Sequence, residues 1–280
     1  MGRRSSSANF EVFSQVDCIK FFSAVLKSVQ LKEPVALFCF SSQGLKVTSE
    51  DAKSVQLNAF LPLEVFEEYR LNTDGNPVKF RLQLNVLIEC LELFSEGKLL
   101  QDSRPRMVMT YEQYGAPLCL SVEEPVVSTD CKIKTLEPDE PVDFHFDLSD
   151  STGKMILKSE VLKEAFSELD STADKIKIEI LVDPPTLRLV TNGSCGRSQT
   201  DIQANTEYVE MFSYQEKVDA SYHQDMLKLA LKPLGISKRT SLRIDERGIL
   251  CLQFMIQQEN DKTGFVEFYC SPELLDDESE

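Results

Sequence analysis

The sequence predicts an α+β fold made of two similar halves, each with antiparallel sheets and two short helices. Three observations predict it. Apolar and polar residues alternate with period two through most of the chain, as in Val78, Phe80 and Leu82 against Lys79, Arg81 and Gln83. That is the habit of strands with one buried and one wet face. Only four segments carry apolar residues at helical spacing. The first two of these start ~68 residues apart, and the last two keep that spacing to within about two residues, so one unit is used twice.

In chain order, the first helix runs from Asp17, read as its N-cap, through Ile19, Phe22, Val25, Leu26 and Val29. Strand alternation follows at Val55, Leu57, Ala59 and Leu61, with Ser54, Gln56 and Asn58 on the wet side. The second helix runs from about Asn85 through Leu87, Cys90, Leu91 and Phe94 to a stop at Gly97. Residues 137–153, with Pro138, Pro141 and many acids, read as an extended linker. The third helix starts at Ser159 and carries Leu162, Ala165, Phe166 and Leu169. Strands resume at Ile176, Ile178, Ile180 and Val182 and at Leu187 and Leu189. The fourth helix starts near Asp225, carries Met226, Leu227, Ala230 and Leu234, and has Gly235 after it. Alternation at Leu250, Leu252, Phe254 and Ile256, then at Val266, Phe268 and Cys270, completes the second half. The expected boundaries are a first half at 1–136 with 1–9 flexible, the linker at 137–153, a second half at 154–272, and an acidic tail at 273–280. Residue identity between the halves is weak, so the repeat is architectural.

Composition narrows the function. A chain of 280 residues, 42% hydrophobic and 27% charged, can bury a core without disulfides or metals. With 30 Lys+Arg against 46 Asp+Glu the net charge is -16, unlike a simple coat for DNA or membrane. The two histidines, His145 and His223, leave little for a histidine base or a His-rich metal cage. The eight cysteines contain no C-x-x-C pair and read as buried free thiols in a reducing compartment. The polar start is followed by no apolar signal core, and no apolar run approaches the ~20 residues that span a bilayer. The chain is therefore expected to be soluble and intracellular.

Phosphate-loop, dinucleotide and Gly-x-Ser-x-Gly patterns are absent. Asp143, His145 and Asp147 alternate on an extended stretch and could converge on a divalent ion that activates water. The opposite register, Val142, Phe144, Phe146 and Leu148, is an apolar stripe that packs on a sheet and leaves the polar set in solvent, and this is the stronger reading. Other acids, such as Glu67, Glu68, Glu123 and Glu124, are plentiful but not focused, and a solvated face accounts for them. Cations are scarcer. Lys20 and Lys27, with Ser23 between them, share the polar face of the first helix, and Lys228 and Lys232 share one on the fourth. Lys163 lies off the apolar stripe of the third, while Glu89 and Glu92 make the second acidic. Plain solubility explains any one of these lysines; their recurrence on three of four helices in an acidic chain is mildly suggestive.

Four strings carry a resemblance over about 10–272: Gly44–Thr48 with Glu50–Phe60; Lys163–Asp170; Ser241–Gly248 with Leu252–Ile256; and Phe265–Pro272. In order and spacing the chain resembles the DNA sliding clamps, and within them the Rad-one-type subunit of the nine-one-one DNA-damage checkpoint clamp. The resemblance implies two sliding-clamp halves with sheets outside and two short helices each on the inner face. It implies a heterotrimeric ring with two paralogous clamp subunits around double-stranded DNA, without sequence specificity. A clamp loader and checkpoint and repair proteins would be partners, and the nucleus the location; no cofactor, metal, catalytic residue or membrane is implied. Lys20, Lys27, Lys163, Lys228 and Lys232 would face the DNA channel. Val142, Phe144 and Phe146 would sit by a partner groove. Edge strands near 126–134 and 206–212, with Val127, Cys131, Ile133, Tyr208, Val209 and Phe212, would meet neighbouring subunits. Two alternatives stay open: a metal-dependent 3'-5' DNA exonuclease, and a homotrimeric replication clamp.

Overall fold

A computed structural model describes residues 10–96, 106–123, 128–146, 152–194, 196–258 and 262–273. In chain order its first half contains β1 (Val12–Val16), α1 (Ile19–Ser28), β2 (Val35–Ser41), β3 (Gly44–Asp51), β4 (Val55–Pro62), β5 (Glu68–Leu71), β6 (Val78–Gln83), α2 (Leu84–Glu96), β7 (Arg106–Tyr111), β8 (Leu118–Glu123) and β9 (Ser128–Ile133). The second half contains β10 (Met155–Lys158), α3 (Ser159–Ser167), β11 (Lys175–Val182), β12 (Pro185–Gly193), β13 (Gly196–Gln203), β14 (Val209–Phe212), β15 (Val218–His223), α4 (Gln224–Lys228), α5 (Leu231–Ile236), β16 (Arg239–Ile244), β17 (Leu250–Gln257) and β18 (Thr263–Cys270).

Strand order repeats. In the first half the hydrogen-bonded neighbours run β5-β1-β7-β8-β9 and β4-β3-β2-β6; in the second they run β14-β10-β16-β17-β18 and β13-β12-β11-β15. Each strand of the first half has its counterpart nine strands later. The helices repeat as well: Ile19 to Leu84 and Ser159 to Gln224 are both 65 residues. The ladders are antiparallel, for example Val12 opposite Tyr111 and Met155 opposite Leu242.

Contacts divide the chain into two units. One gathers Met1–Ser49, Asn58–Pro141 and Gln257–Gly264; the other gathers Glu50–Leu57, Val142–Ile256 and Phe265–Glu280. The first unit is cored by aromatic rings from facing strands. Phe38 stacks on Phe80 at 5.9 Å, and Phe80 meets Tyr111 of β7 at 4.5 Å. Each of these side chains is fully buried, and burying a ring of that size contributes roughly 2–3 kcal/mol. Helices α1 and α2 pack on each other. In the second unit Ile176, Ile178 and Ile180 of β11 and Leu187 and Leu189 of β12 alternate inward, with Leu242, Leu252 and Phe254 also fully buried. Helix α3 packs on α5.

Several local expectations need correction. Asp17 does not cap α1: Cys18 holds that position without a side-chain cap bond, and Asp17 instead pairs with Lys262 at 2.6 Å. α2 begins at Leu84, within a residue of the expected start, and Gly97 lies outside the described residues. The fourth helix is two pieces, α4 and α5. Pro233 has no N–H and its ring would collide with the Leu229 carbonyl of a continuous helix, so the chain re-enters at Leu231. Gly235 consequently lies inside α5 rather than after it.

Strand β4 is not half wet. Gln56 and Asn58 are buried at 6% and 1% exposure. Both are satisfied: Asn58 accepts from Thr48 Oγ1 at 2.7 Å, and Gln56 donates to Glu50 and to the Val142 carbonyl. The cysteines divide. Cys251 and Cys270 are buried, and burial pushes both thiols up to about 12, so they stay protonated. Cys18, Cys39, Cys90, Cys119 and Cys131 are half-buried. Cys39, for instance, stands on the outward register of β2, opposite Lys46 and Lys79. Cys195 lies outside the described residues.

Gly44 opens β3 at φ +123°, and a Cβ there would come 2.3 Å from the Leu61 carbonyl oxygen. Both the backbone angle and the space therefore require glycine. Gly44→Ala is expected to cost about 2–4 kcal/mol, read as a lower urea midpoint; a loss within about 0.5 kcal/mol would show that the β2–β3 turn is misplaced.

Candidate functional site

The five helix lysines do not share one environment. Lys20 on α1 and Lys163 on α3 are exposed and form no salt bridge among the described residues. Lys27 pairs with Glu92 of α2 at 2.7 Å, so the acidic second helix partly neutralises the first. Ser23, expected on the same wet face, is buried at 3% exposure. One turn before Lys27, it lies on the side of α1 from which that lysine reaches Glu92 of α2. Lys228 pairs with Asp225 at 2.9 Å within α4, and Lys232 is exposed on α5. Across α1–α5 five lysines stand against six acidic residues. The helices are therefore not a strongly positive surface, and any polyanion they meet is held by particular ammonium groups.

Open strand edges are the second feature. β9 ends the five-stranded sheet and, among the described residues, pairs only with β8. It carries Cys131, half-buried, and Ile133, buried; Val127 lies outside the described residues. In the second half, among the described residues, β14 pairs only with β10, and its neighbourhood presents Tyr208 and Met211 at 41% and 46% exposure. Val209 and Phe212 of the same run are half-buried, and Lys158 lies over the Tyr208 ring. Sequence reasoning missed a further open edge, β13, which among the described residues pairs only with β12, over eight residues. Its composition, Gly196 to Gln203, has little apolar alternation to mark it.

Residues 142–146 are fastened along their backbone. The Val142 N–H donates to Glu50 Oε1 at 2.7 Å and its carbonyl accepts from Gln56. Arg247 donates to the carbonyls of Phe144 and His145 at 2.9 and 3.1 Å, while also pairing with Asp245, which is 6% exposed. Phe144 is buried and stacks on Tyr269 at 5.7 Å, and Phe146, half-buried, meets the same ring. Burial, then the neighbouring Cys251 and Glu267, pushes the Tyr269 hydroxyl well above the usual phenol range. Asp143 and His145 face solvent as a pair at 3.1 Å, and His145 adopts φ +48°, so the stretch is not continuously extended. Asp147 lies outside the described residues. Among the described residues no group of three or more His, Cys, Asp or Glu is placed to hold a metal ion. No helix among them is long and apolar enough to cross a membrane.

Comparison with known proteins gives consistent matches. The family model described as repair protein Rad1/Rec1/Rad17 matches residues 12–256. A mouse protein named cell cycle checkpoint protein RAD1 is 39% identical over 260 residues, covering 93% of this chain and 91% of its own length. Its human namesake is 38% identical over 271 residues, covering 97% and 95%. A Mycosarcoma maydis protein named DNA repair exonuclease REC1 is 24% identical over 220 residues, covering 60% and 47%.

The Arg247 latch is testable. Arg247→Ala is expected to speed chymotryptic cleavage at Phe144 and Phe146 about tenfold, the equivalent of ~1.4 kcal/mol of lost local hydrogen bonding. An unchanged cleavage rate would mean that the ring contacts alone hold the segment.

Proposed function

This chain belongs to the Rad1/Rec1/Rad17 family of repair proteins, and from that premise we propose that it is one subunit of a ring closed around duplex DNA. In this reading it works in the nucleus as a scaffold for checkpoint and repair proteins, beside two paralogous clamp subunits and placed by a loader. The carrying observation is the duplicated strand order, which leaves open edges in both halves. Unpaired edge N–H and C=O groups are satisfied when a neighbour's strand continues the sheet. The reading asks no catalysis of this chain.

The near balance of helix charge sets the expected style of DNA contact. Few ammonium groups reach phosphates, so each contact is weak and independent of sequence, and retention rests on topology. The reconstituted ring is expected to stay on a nicked circle and to run off when the circle is cut; equal retention on both would contradict encirclement. Lys20→Glu, Lys163→Glu, Lys228→Glu and Lys232→Glu together should shorten residence and reduce the salt slope by at most ~0.9 per lysine. Lys27 is left in place because reversing it would set two acids against each other at Glu92. Unchanged residence and slope would remove these helices from the channel.

For assembly, β9 supplies the edge of the first half, with Cys131 and Ile133 on it. In the second half β13 is favoured over β14 by length, eight residues against four, and by the irregular pairing of β14 at Ile156/Leu157. Cys131→Arg, and Ser198→Arg with Thr200→Arg, are each expected to lower the fraction of chain in the complex at least tenfold with the circular dichroism spectrum intact. Tyr208→Ala with Phe212→Ala should leave it unchanged; loss of assembly there would assign the edge to β14 instead.

One relative is named a DNA repair exonuclease, and the second reading for this chain is a metal-dependent 3'-5' exonuclease. It requires nuclease activity that copurifies with the chain through successive columns and disappears in Asp143→Asn with Asp147→Asn. A homotrimeric replication clamp would instead show three copies of this chain by native mass without any partner.

A further inference from the structure

The outward face of β11 and its neighbours forms a polar concavity that the ring reading does not use. Because β11 buries Ile176, Ile178 and Ile180, it turns Lys175, Lys177 and Glu179 outward. Cross-strand pairing sets Val190 of β12 and Ser221 of β15 on either side of Lys177. Asn192 is two residues from Val190 and so shares its face. Over this patch lies a cavity of about 500 Å³, walled by the 172–174 loop and the 193–194 turn.

The wall is already built. The Ser194 N–H and hydroxyl both donate to Thr172 Oγ1, at 2.8 and 2.9 Å, and the Thr172 hydroxyl passes its own proton toward Asp170. Gly193 leaves room for this network, since a Cβ there would come 2.2 Å from Asp170 Oδ2 and 2.5 Å from Thr172 Oγ1 and displace both side chains. Val190, 6% exposed, gives an apolar floor. Lys177 bonds Glu179 at 3.0 Å and Asp219 at 2.8 Å, which uses two of its three N–H donors. Lys175 reaches Glu273 at 3.0 Å. The two ammonium stems start roughly 7 Å apart, near enough to close on one tetrahedral dianion.

We propose that this concavity binds a phosphorylated serine or threonine of a partner protein, flanked in sequence by basic residues. A phosphoryl group offers three strong acceptor oxygens to Lys175, Lys177, Asn192 and Ser221. The surrounding carboxylates choose between polyanions and peptides. Asp174 lines the cavity, and Glu273, Asp219 and Glu179 ring its lysines. With four carboxylates to two lysines, a nucleic acid backbone or a bare phosphate is repelled, and only a phosphate that brings arginines on either side to meet those carboxylates is held.

The test uses the full chain alone, so its outcome is independent of ring formation. Amide chemical shifts of the labelled chain are followed on titration with an arginine-flanked phosphoserine peptide, its unphosphorylated twin, and a short DNA duplex. The phosphopeptide is expected to shift the amides of Lys175, Lys177, Asn192 and Ser221 and to bind at least tenfold tighter than its twin. That ratio should vanish in Lys175→Met with Lys177→Met. It should vanish as well in Ser221→Asp, which supplies an internal carboxylate while keeping both lysines. Equal binding of the twins, a ratio that survives either variant in a folded chain, or stronger shifts of the same amides by the duplex would each overturn the proposal.

Discussion

A strand at the end of a sheet leaves backbone donors and acceptors without partners, and this chain carries such strands in both halves. The rest follows from how they arise. β1 is flanked by β5 and β7, and nine strands later β10 is flanked by β14 and β16. The same wiring twice makes β5 and its counterpart β14 edges, and likewise β6 and β15, while β9 and β13 are edges without an edge as counterpart. β9 and β13 carry polar, partly exposed residues rather than apolar stripes. Pairing through them would add backbone bonds without a large apolar surface that would aggregate when unpartnered, which suits the proposed ring subunit before its ring closes.

Charge works on a smaller scale than the overall -16 implies. The helices carry nearly balanced charge, and Lys27 and Glu92 cancel locally. Screening over about 8 Å at physiological salt separates each ammonium from most acids elsewhere on the chain. Contacts of this strength would let DNA slide, and closure of the ring would have to supply retention. On the β11 face carboxylates outnumber lysines, so the proposed selectivity is for a phosphate that carries its own flanking cations.

The strand periodicity and the matched helix spacing were legible in the sequence because both depend on local apolar pattern. What escaped was set by contacts distant in sequence. Gln56 and Asn58 look wet by alternation, but their burial depends on Glu50, Val142 and Thr48. Asp17 has the chemistry of an N-cap, yet Lys262, 245 residues away, takes its carboxylate. The break between α4 and α5 was visible in Pro233 and was outweighed by the apolar stripe through Leu227, Ala230 and Leu234. The lysines were found by their scarcity, whereas the Lys27–Glu92 pair required knowing that α1 and α2 touch. β13 was missed because an edge strand with two polar faces has no period to read.

The most direct measurement is a cryo-electron microscopy reconstruction of this chain assembled with its proposed partner subunits. Encirclement predicts one copy of the chain in a closed ring, with a neighbour's strand extending β9 on one side and an edge of the second half extended on the other. A chain that remains solitary, or that joins its partners while both edges stay bare, would contradict it.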